Sequence, residues 1–321
     1  MKKYPSIEQF RQVIREVKAI HDYRGKDEEG KAIYRHEENY PILKFKGTVK
    51  LHGTNAAIVK YKDGSIQYQS RERVLSIEED NAGFMAEMSK LDPSFLFDYF
   101  VGCDKYIAIY GEWCGGNIQK GVAISGLPKM FVIFGIMIDD VWVEIPSQHY
   151  SLGRNIYNIN MFETYEVEID FNHPELIQNK LIELTIAVEE CCPVGKYFGK
   201  EGTGEGIVFT CVTNQDLKFK SKGEKHSASK VKTLNPVDVE AMAGVNDFVE
   251  MAVTENRLEQ GISYFHENNI EVEPKNTGLF LGLVVKDVLK EEADTLLESG
   301  LDEKKVKAAI VTKARMWFLN R

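Results

Sequence analysis

The chain has 321 residues, 43% of them hydrophobic and 28% charged, with a formal net charge of −9. That is the composition of an ordinary globular protein long enough for two domains. No apolar run approaches the roughly 20 residues of a membrane-spanning helix, and five cysteines without a CxxC pair exclude a disulfide framework and a legible zinc site.

In chain order, Ser6-Ile7-Glu8-Gln9 reads as a capping box opening a helix through about residue 18. Residues 22–40 are polar, with Gly25 and Gly30 as punctuation, and predict a loop or irregular hairpin. Strands follow at 42–49, 56–62 and 65–71, the last two joined by Asp63-Gly64, a strong hairpin signal. Segments 78–91 and 93–101 predict helices. A second β block comprises 106–113, the nearly all-apolar 129–138, whose short apolar run suits a strand buried on both faces, and 141–145. Helical spacing returns at 173–191. The vicinal Cys191-Cys192 fits buried helix-end thiols better than a redox pair. After the glycine-rich 195–206 come short strands at 206–212 and 216–220. From Asn235-Pro236 onward every segment has helical periodicity, at 237–254, 256–268, 276–298 and 302–319, with Asp302 as N-cap. The domains are therefore expected at 1–228 (mixed α and β) and 229–321 (helical).

The negative charge argues against a nucleic-acid partner only on average. From Pro236 to the end there are 16 acidic and 10 basic residues, whereas the Lys218–Lys232 stretch holds one acid, Glu224. The opening Met1-Lys2-Lys3-Tyr4-Pro5 leads into an amphipathic segment, so a secretory signal is not expected and a cytoplasmic protein is, in a host cytoplasm if the gene belongs to a phage.

Chemistry concentrates at strand ends. Lys50 stands in Lys50-Leu51-His52-Gly53-Thr54-Asn55, at the end of a strand and before a tight turn. Tyr110-Gly111-Glu112-Trp113 puts a carboxylate after an apolar strand, and Phe131 to Gly135 carries aromatics inside one. Gly204-Glu205-Gly206-Ile207-Val208 places a carboxylate between glycines. In Leu217-Lys218-Phe219-Lys220 the alternation projects both lysines from one strand face. Each island alone has an ordinary explanation: a solvated turn lysine, a surface glutamate, a core phenylalanine, the wet face of a sheet. A lysine amine is protonated at neutral pH unless burial or nearby cations lower its pKa, and the later lysines are candidates for those cations.

The order K-x-H-G-T-N, Y-G-E, aromatic strand, E-G-I-V, L-K-x-K resembles five motifs of the covalent nucleotidyltransferase superfamily of polynucleotide ligases and messenger-RNA capping enzymes. The histidine in K-x-H-G, where DNA ligases and capping enzymes carry K-x-D-G, is similar to the RNA ligase 2 branch, which includes a bacteriophage T4 enzyme and the RNA-editing ligases. Gln119-Lys120 and a helical domain in place of an OB-fold resemble the same branch.

The resemblance implies an α+β fold, with an ATP-grasp-like nucleotidyltransferase domain of antiparallel sheets followed by a small all-helical one. It implies an ATP-dependent RNA ligase in RNA or tRNA repair, with RNA 5′-phosphate and 3′-hydroxyl ends as partners in a nicked duplex or a broken tRNA-like loop, and a monomer without a membrane. Lys50 matches the nucleophile that carries AMP. Lys218 and Lys220 match the lysines against the AMP phosphate. Glu205 matches the carboxylate for Mg²⁺ or Mn²⁺, and Glu112 the ribose-binding glutamate. Phe134, with Phe131 as substitute, matches the aromatic under adenine. Arg71, or Arg73 two residues on, matches the arginine on the RNA 5′-phosphate, and His52 and Asn55 complete motif I as phosphate-orienting groups. Val49 stands where some relatives carry an acid, and Ser70–Ser76 lacks the Arg-Thr-Gly run of the T4-type enzyme. A capping-type guanylyltransferase and a non-catalytic RNA-binding protein on the same scaffold are the alternatives. Lys222, Lys225, Lys230 and Lys232 are read as linker residues available to RNA phosphates.

Overall fold

A computed structural model describes residues 1–37, 39–100, 102–227 and 244–321. The strands are β1 (Glu8–Gln9), β2 (Tyr23–Lys26), β3 (Ala32–Tyr34), β4 (Ile42–Lys50), β5 (Thr54–Tyr61), β6 (Ile66–Ser70), β7 (Tyr106–Cys114), β8 (Met130–Ile138), β9 (Val141–Val143), β10 (Ile156–Asn158), β11 (Thr164–Asp170), β12 (Gly206–Cys211) and β13 (Lys218–Lys222). The helices are α1 (Phe10–Asp22), α2 (Phe84–Met88), α3 (Gln178–Glu190), α4 (Pro193–Tyr197), α5 (Val245–Ala252), α6 (Glu255–Glu267), α7 (Thr277–Glu291), α8 (Ala293–Ser299) and α9 (Glu303–Leu319). The mixed α+β class is as expected. The chain divides into two compact units, residues 1–8 with 12–223, and residues 9–11 with 224–321.

The first unit is built on two large sheets. One carries the antiparallel run β13–β12–β4–β11; the other runs β10–β8–β7–β5–β6 with β9 on β8, antiparallel except for β10 on β8. In the second sheet, alternation divides the residues between two faces. Ala56, Ile58, Ile107, Ile109, Trp113, Phe131 and Ile133 pack with Phe84 and Met88 of α2. Ala57, Val59, Tyr106, Ala108 and Tyr110 form the other face, with Tyr4, Phe134 and Trp142 against it. Glu112 lies two residues beyond Tyr110, so it belongs to this second face.

Several elements differ from expectation. The helix predicted from the capping box starts later, at Phe10, because Glu8–Gln9 is extended. Of the helices expected over 78–101, the described segment 78–100 forms α2 and a 3₁₀ turn, Pro93–Leu96. Its polar residues satisfy the backbone themselves: the Asp80 carboxylate accepts from the amides of Met85 and Ala86 at 2.8 and 2.9 Å, and Gly83 turns with φ 79°, the competition that makes Asp and Asn poor in helix interiors. Strand β11 was not expected, although Val167 and Ile169 are buried between exposed Glu166 and Glu168, a period-2 signal. Strand β13 begins two residues later than expected. Asn214 builds a turn, its carbonyl accepting from Leu217 N (3.0 Å) and its Oδ1 from Asp216 N (3.1 Å). The strand therefore extends through Lys222, which leaves the linker.

The second unit is helical, around Phe248, Leu258, Phe265, Phe280, Val306, Ile310 and Phe318. The helix expected at 276–298 is broken into α7 and α8. Of the helix expected at 237–254, the described part is α5, and Lys230 and Lys232 lie outside the described residues. Among the described residues no helix is long and apolar enough to cross a membrane. Within this unit Arg257, 1% exposed, lies 2.9 Å from Asp287, 3.0 Å from Glu291 and 3.3 Å from Glu292, which is 0% exposed. Arg257→Met should lower unfolding stability by about 3–5 kcal/mol, because it leaves Glu292 buried without this partner. Chemical denaturation checks this, and a loss below about 0.5 kcal/mol would mean that apolar packing alone holds the helices there.

Candidate active site

The site forms where β4 ends. Gly206 of β12 stands opposite Lys50 on one side and Lys222 on the other, so Lys50, Gly206 and Lys222 form one row across the sheet. Gly206 has φ +148°, and a Cβ there would collide with the Ser221 carbonyl oxygen. Only glycine keeps both this conformation and the close strand approach.

The preceding residue, Glu205, turns its carboxylate between the two lysines. Its Oε1 lies 2.7 Å from Lys50 Nζ and 2.8 Å from Lys222 Nζ, and its Oε2 lies 3.5 Å from His52 Nδ1. The carboxylate is 3% exposed. Burial alone would raise its pKa, but Lys222 and Lys50, with His52, outweigh that and hold it well below the ordinary carboxylate range. Lys50 shifts the other way. Burial lowers its pKa most and Lys222 adds to this, while Glu205 and Glu112 oppose. The ammonium form of Lys50 is thus weakened by its position while the carboxylate holds it in place.

The turn after Lys50 is locked to β7. Gly53 N donates to Glu112 Oε1 at 3.0 Å, and a Cβ on Gly53 would strike the Trp113 carbonyl oxygen and come within 2.7 Å of Cys114 Cβ. Asn55 stands opposite Glu112 in the β5–β7 ladder, and Val132 stands opposite Glu112 on the other side. Phe134 follows at an irregularity, where Tyr110 pairs with Gly135 and Gly111 with Ile133. Phe134 lies two residues from Val132 and so shares the Glu112 face. Phe131 lies in the core on the opposite face, 5.1 Å from Phe84, and is no substitute for it.

The structure thus brings together Lys50, His52, Glu205, Glu112 and Asn55, with Phe134 on the adjoining strand. It adds Lys222, which the sequence reading put in the linker. Lys220 lies one row along, opposite Val208. Lys218 does not join the cluster. It stands opposite Thr210, about 13 Å along the strand from Lys222. Its Nζ donates to the Gln215 carbonyl oxygen and sits 3.9 Å from the Trp142 ring centroid. Burial, opposed by Asp216, lowers its pKa to about 8. Arg71 is exposed at the end of β6, while Arg73 braces a loop by donating to the carbonyl oxygens of Glu79 and, at 2.9 Å, Asp80.

No cluster of three or more His, Cys, Asp or Glu arranged for a metal occurs among the described residues. Glu205 Oε2 is buried, with His52 Nδ1 approaching it only at 3.5 Å. One hard, buried carboxylate oxygen suits a divalent cation that takes its other ligands from phosphates and water.

The family model described as RNA ligase matches residues 43–232, more than half of the chain. A search of curated proteins gives no match. Among solved structures, a Naegleria gruberi RNA ligase with PPi is 17% identical at TM-score 0.45, covering 70% of this chain and 56% of that one. A lysine-to-alanine mutant of that ligase with ATP and Mn is 17% identical at TM-score 0.44, covering 70% and 57%. The chain thus spans just over half the length of these structures.

Proposed function

The chain belongs to the RNA ligase family, and we propose that it joins RNA 5′-phosphate and 3′-hydroxyl ends with ATP, through AMP carried on Lys50. The observation behind this reading is the buried carboxylate of Glu205 held 2.7 Å from Lys50 and 2.8 Å from Lys222. In the first step the Lys50 amine loses its proton and its lone pair attacks the α-phosphorus. The phosphorus–nitrogen bond forms, the bond to the bridging oxygen breaks, and pyrophosphate leaves with that electron pair. In the second an oxygen of the RNA 5′-phosphate attacks the same phosphorus and the amine leaves, regaining a proton. In the third the 3′-hydroxyl oxygen attacks the RNA 5′-phosphorus, losing its proton, and AMP departs.

Each side chain has a part in this reading. Glu205 orients the Lys50 amine. Lys222, with Lys220 one row away, faces the negative charge that develops on the α-phosphate. Glu112 accepts from a ribose hydroxyl, Phe134 offers its ring to adenine, and His52 and Asn55 orient phosphates. Arg71, exposed where Arg73 is occupied, takes the RNA 5′-phosphate through its guanidinium fork. Glu205 would hold Mg²⁺ or Mn²⁺, which neutralises phosphate charge when bound. His52 in motif I supports the RNA ligase 2 branch and a role in RNA repair.

Labelled ATP with magnesium should give a covalent adduct, and peptide mapping should find AMP on Lys50. AMP on another residue would overturn the nucleophile, a GTP-only adduct would favour RNA capping, and no adduct would leave an RNA-binding scaffold.

A further inference from the structure

We propose that Tyr4 is a displaceable stopper in the nucleotide pocket, its ring holding the place that the base must take. This rests on the ligase reading and adds to it a regulation of the same site. The Tyr4 ring meets Phe134 at 4.9 Å and 68°, Tyr110 at 5.2 Å and 60°, and Trp142 at 5.5 Å and 71°, every contact edge-on. A base stacked between two rings needs van der Waals contact on both faces, about 7 Å between the ring planes. The 4.9 Å between Tyr4 and Phe134 cannot admit one, so a base laid on this face of Phe134 must push Tyr4 aside.

Burial raises the pKa of the Tyr4 phenol, Tyr110 adds to this, Arg71 opposes it and Glu112 raises it further. Tyr4 therefore lies within electrostatic range of the carboxylate assigned to ribose and of the arginine assigned to the RNA phosphate.

Besides its aromatic neighbours and Lys218 Nζ, 5.6 Å from its centroid, the ring is held through the chain segment that precedes it. Lys2 N donates to Gln69 Oε1 at 3.0 Å. Lys2 Nζ lies 3.4 Å from Asp140 and 4.0 Å from the Tyr106 ring centroid, and Lys3 Nζ lies 2.8 Å from Glu72. The two ion pairs are exposed or half-exposed and of the kind that contributes little individually. Such a strap closes the pocket most of the time yet yields to a ligand. Apparent affinity then falls by the fraction of molecules whose pocket is open.

The test is equilibrium binding of labelled ATP, with magnesium, to the full chain. Tyr4→Ala should bind ATP about tenfold more tightly than wild type, as expected when a closed fraction is removed. Tyr4→Phe, which keeps the ring, should match wild type. Lys3→Glu, which sets two acids against each other on the surface and leaves the core alone, should tighten binding by a smaller factor. Weaker binding in Tyr4→Ala would make Tyr4 a wall of the pocket and overturn the proposal, as would equal binding in all four proteins. If neither wild type nor any variant binds ATP, the ligase reading itself fails and the stopper with it.

Discussion

Replacing Glu205 with alanine should slow adenylation of Lys50 by about a thousandfold, the scale of loss when a preorganised electrostatic partner is removed. The direction of the pKa effect makes this result diagnostic. Glu205 raises the pKa of Lys50, so its removal leaves more of the amine deprotonated at neutral pH. A site limited only by deprotonation would speed up. The expected loss therefore measures positioning: without the carboxylate, two partly buried ammonium groups that now share Oε1 repel each other, and a misplacement of about 1 Å can itself cost a hundredfold. Glu205→Gln keeps an acceptor for one lysine but not the charge, and should fall between. Single-turnover adduct formation reads both variants. Activity of Glu205→Ala within tenfold of wild type would remove Glu205 from the mechanism.

How far this site could be read from the sequence depends on the kind of signal each residue carries. Lys50 ends a strand just before the Gly53 turn, and Glu112 and Glu205 have glycine neighbours, so residue type and local pattern coincide; Asp63-Gly64 marked its hairpin correctly. Phe134 was legible by residue type, and strand alternation alone puts it and Phe131, three residues apart, on opposite faces; which of the two faces meets Glu112 came from the β7–β8 pairing. Lys222 was missed because Lys218, Lys220 and Lys222 alternate without a break. The pattern gives the shared face but not where the strand begins, and that is decided by hydrogen bonds from the Asn214 turn. Tyr4 precedes the first periodic segment, and only tertiary contacts reveal it.

Lys222→Ala should reduce lysine adenylation at neutral pH by about a hundredfold or more, whereas Lys218→Ala should stay within about tenfold. Lys222 touches the same carboxylate oxygen as Lys50, the proposed nucleophile, so on that reading its loss removes charge facing the α-phosphate. It also removes a cation that lowers the pKa of Lys50. The pH–rate profile should therefore show its midpoint below the ordinary lysine value of about 10.4 in wild type and move toward higher pH in Lys222→Ala. The Lys218 amine instead packs over Trp142 with its pKa lowered to about 8. Its loss should cost at most about 2 kcal/mol of stability and leave the pH midpoint in place. The two lysines share a strand face, so a shift of β13 by four residues would bring Lys218 opposite Gly206 in place of Lys222. A larger loss for Lys218→Ala than for Lys222→Ala would thus mean that the strand slides when ATP binds. With the register fixed by the Asn214 turn and by Gly206 opposite Lys222, the expected order is Lys222 first.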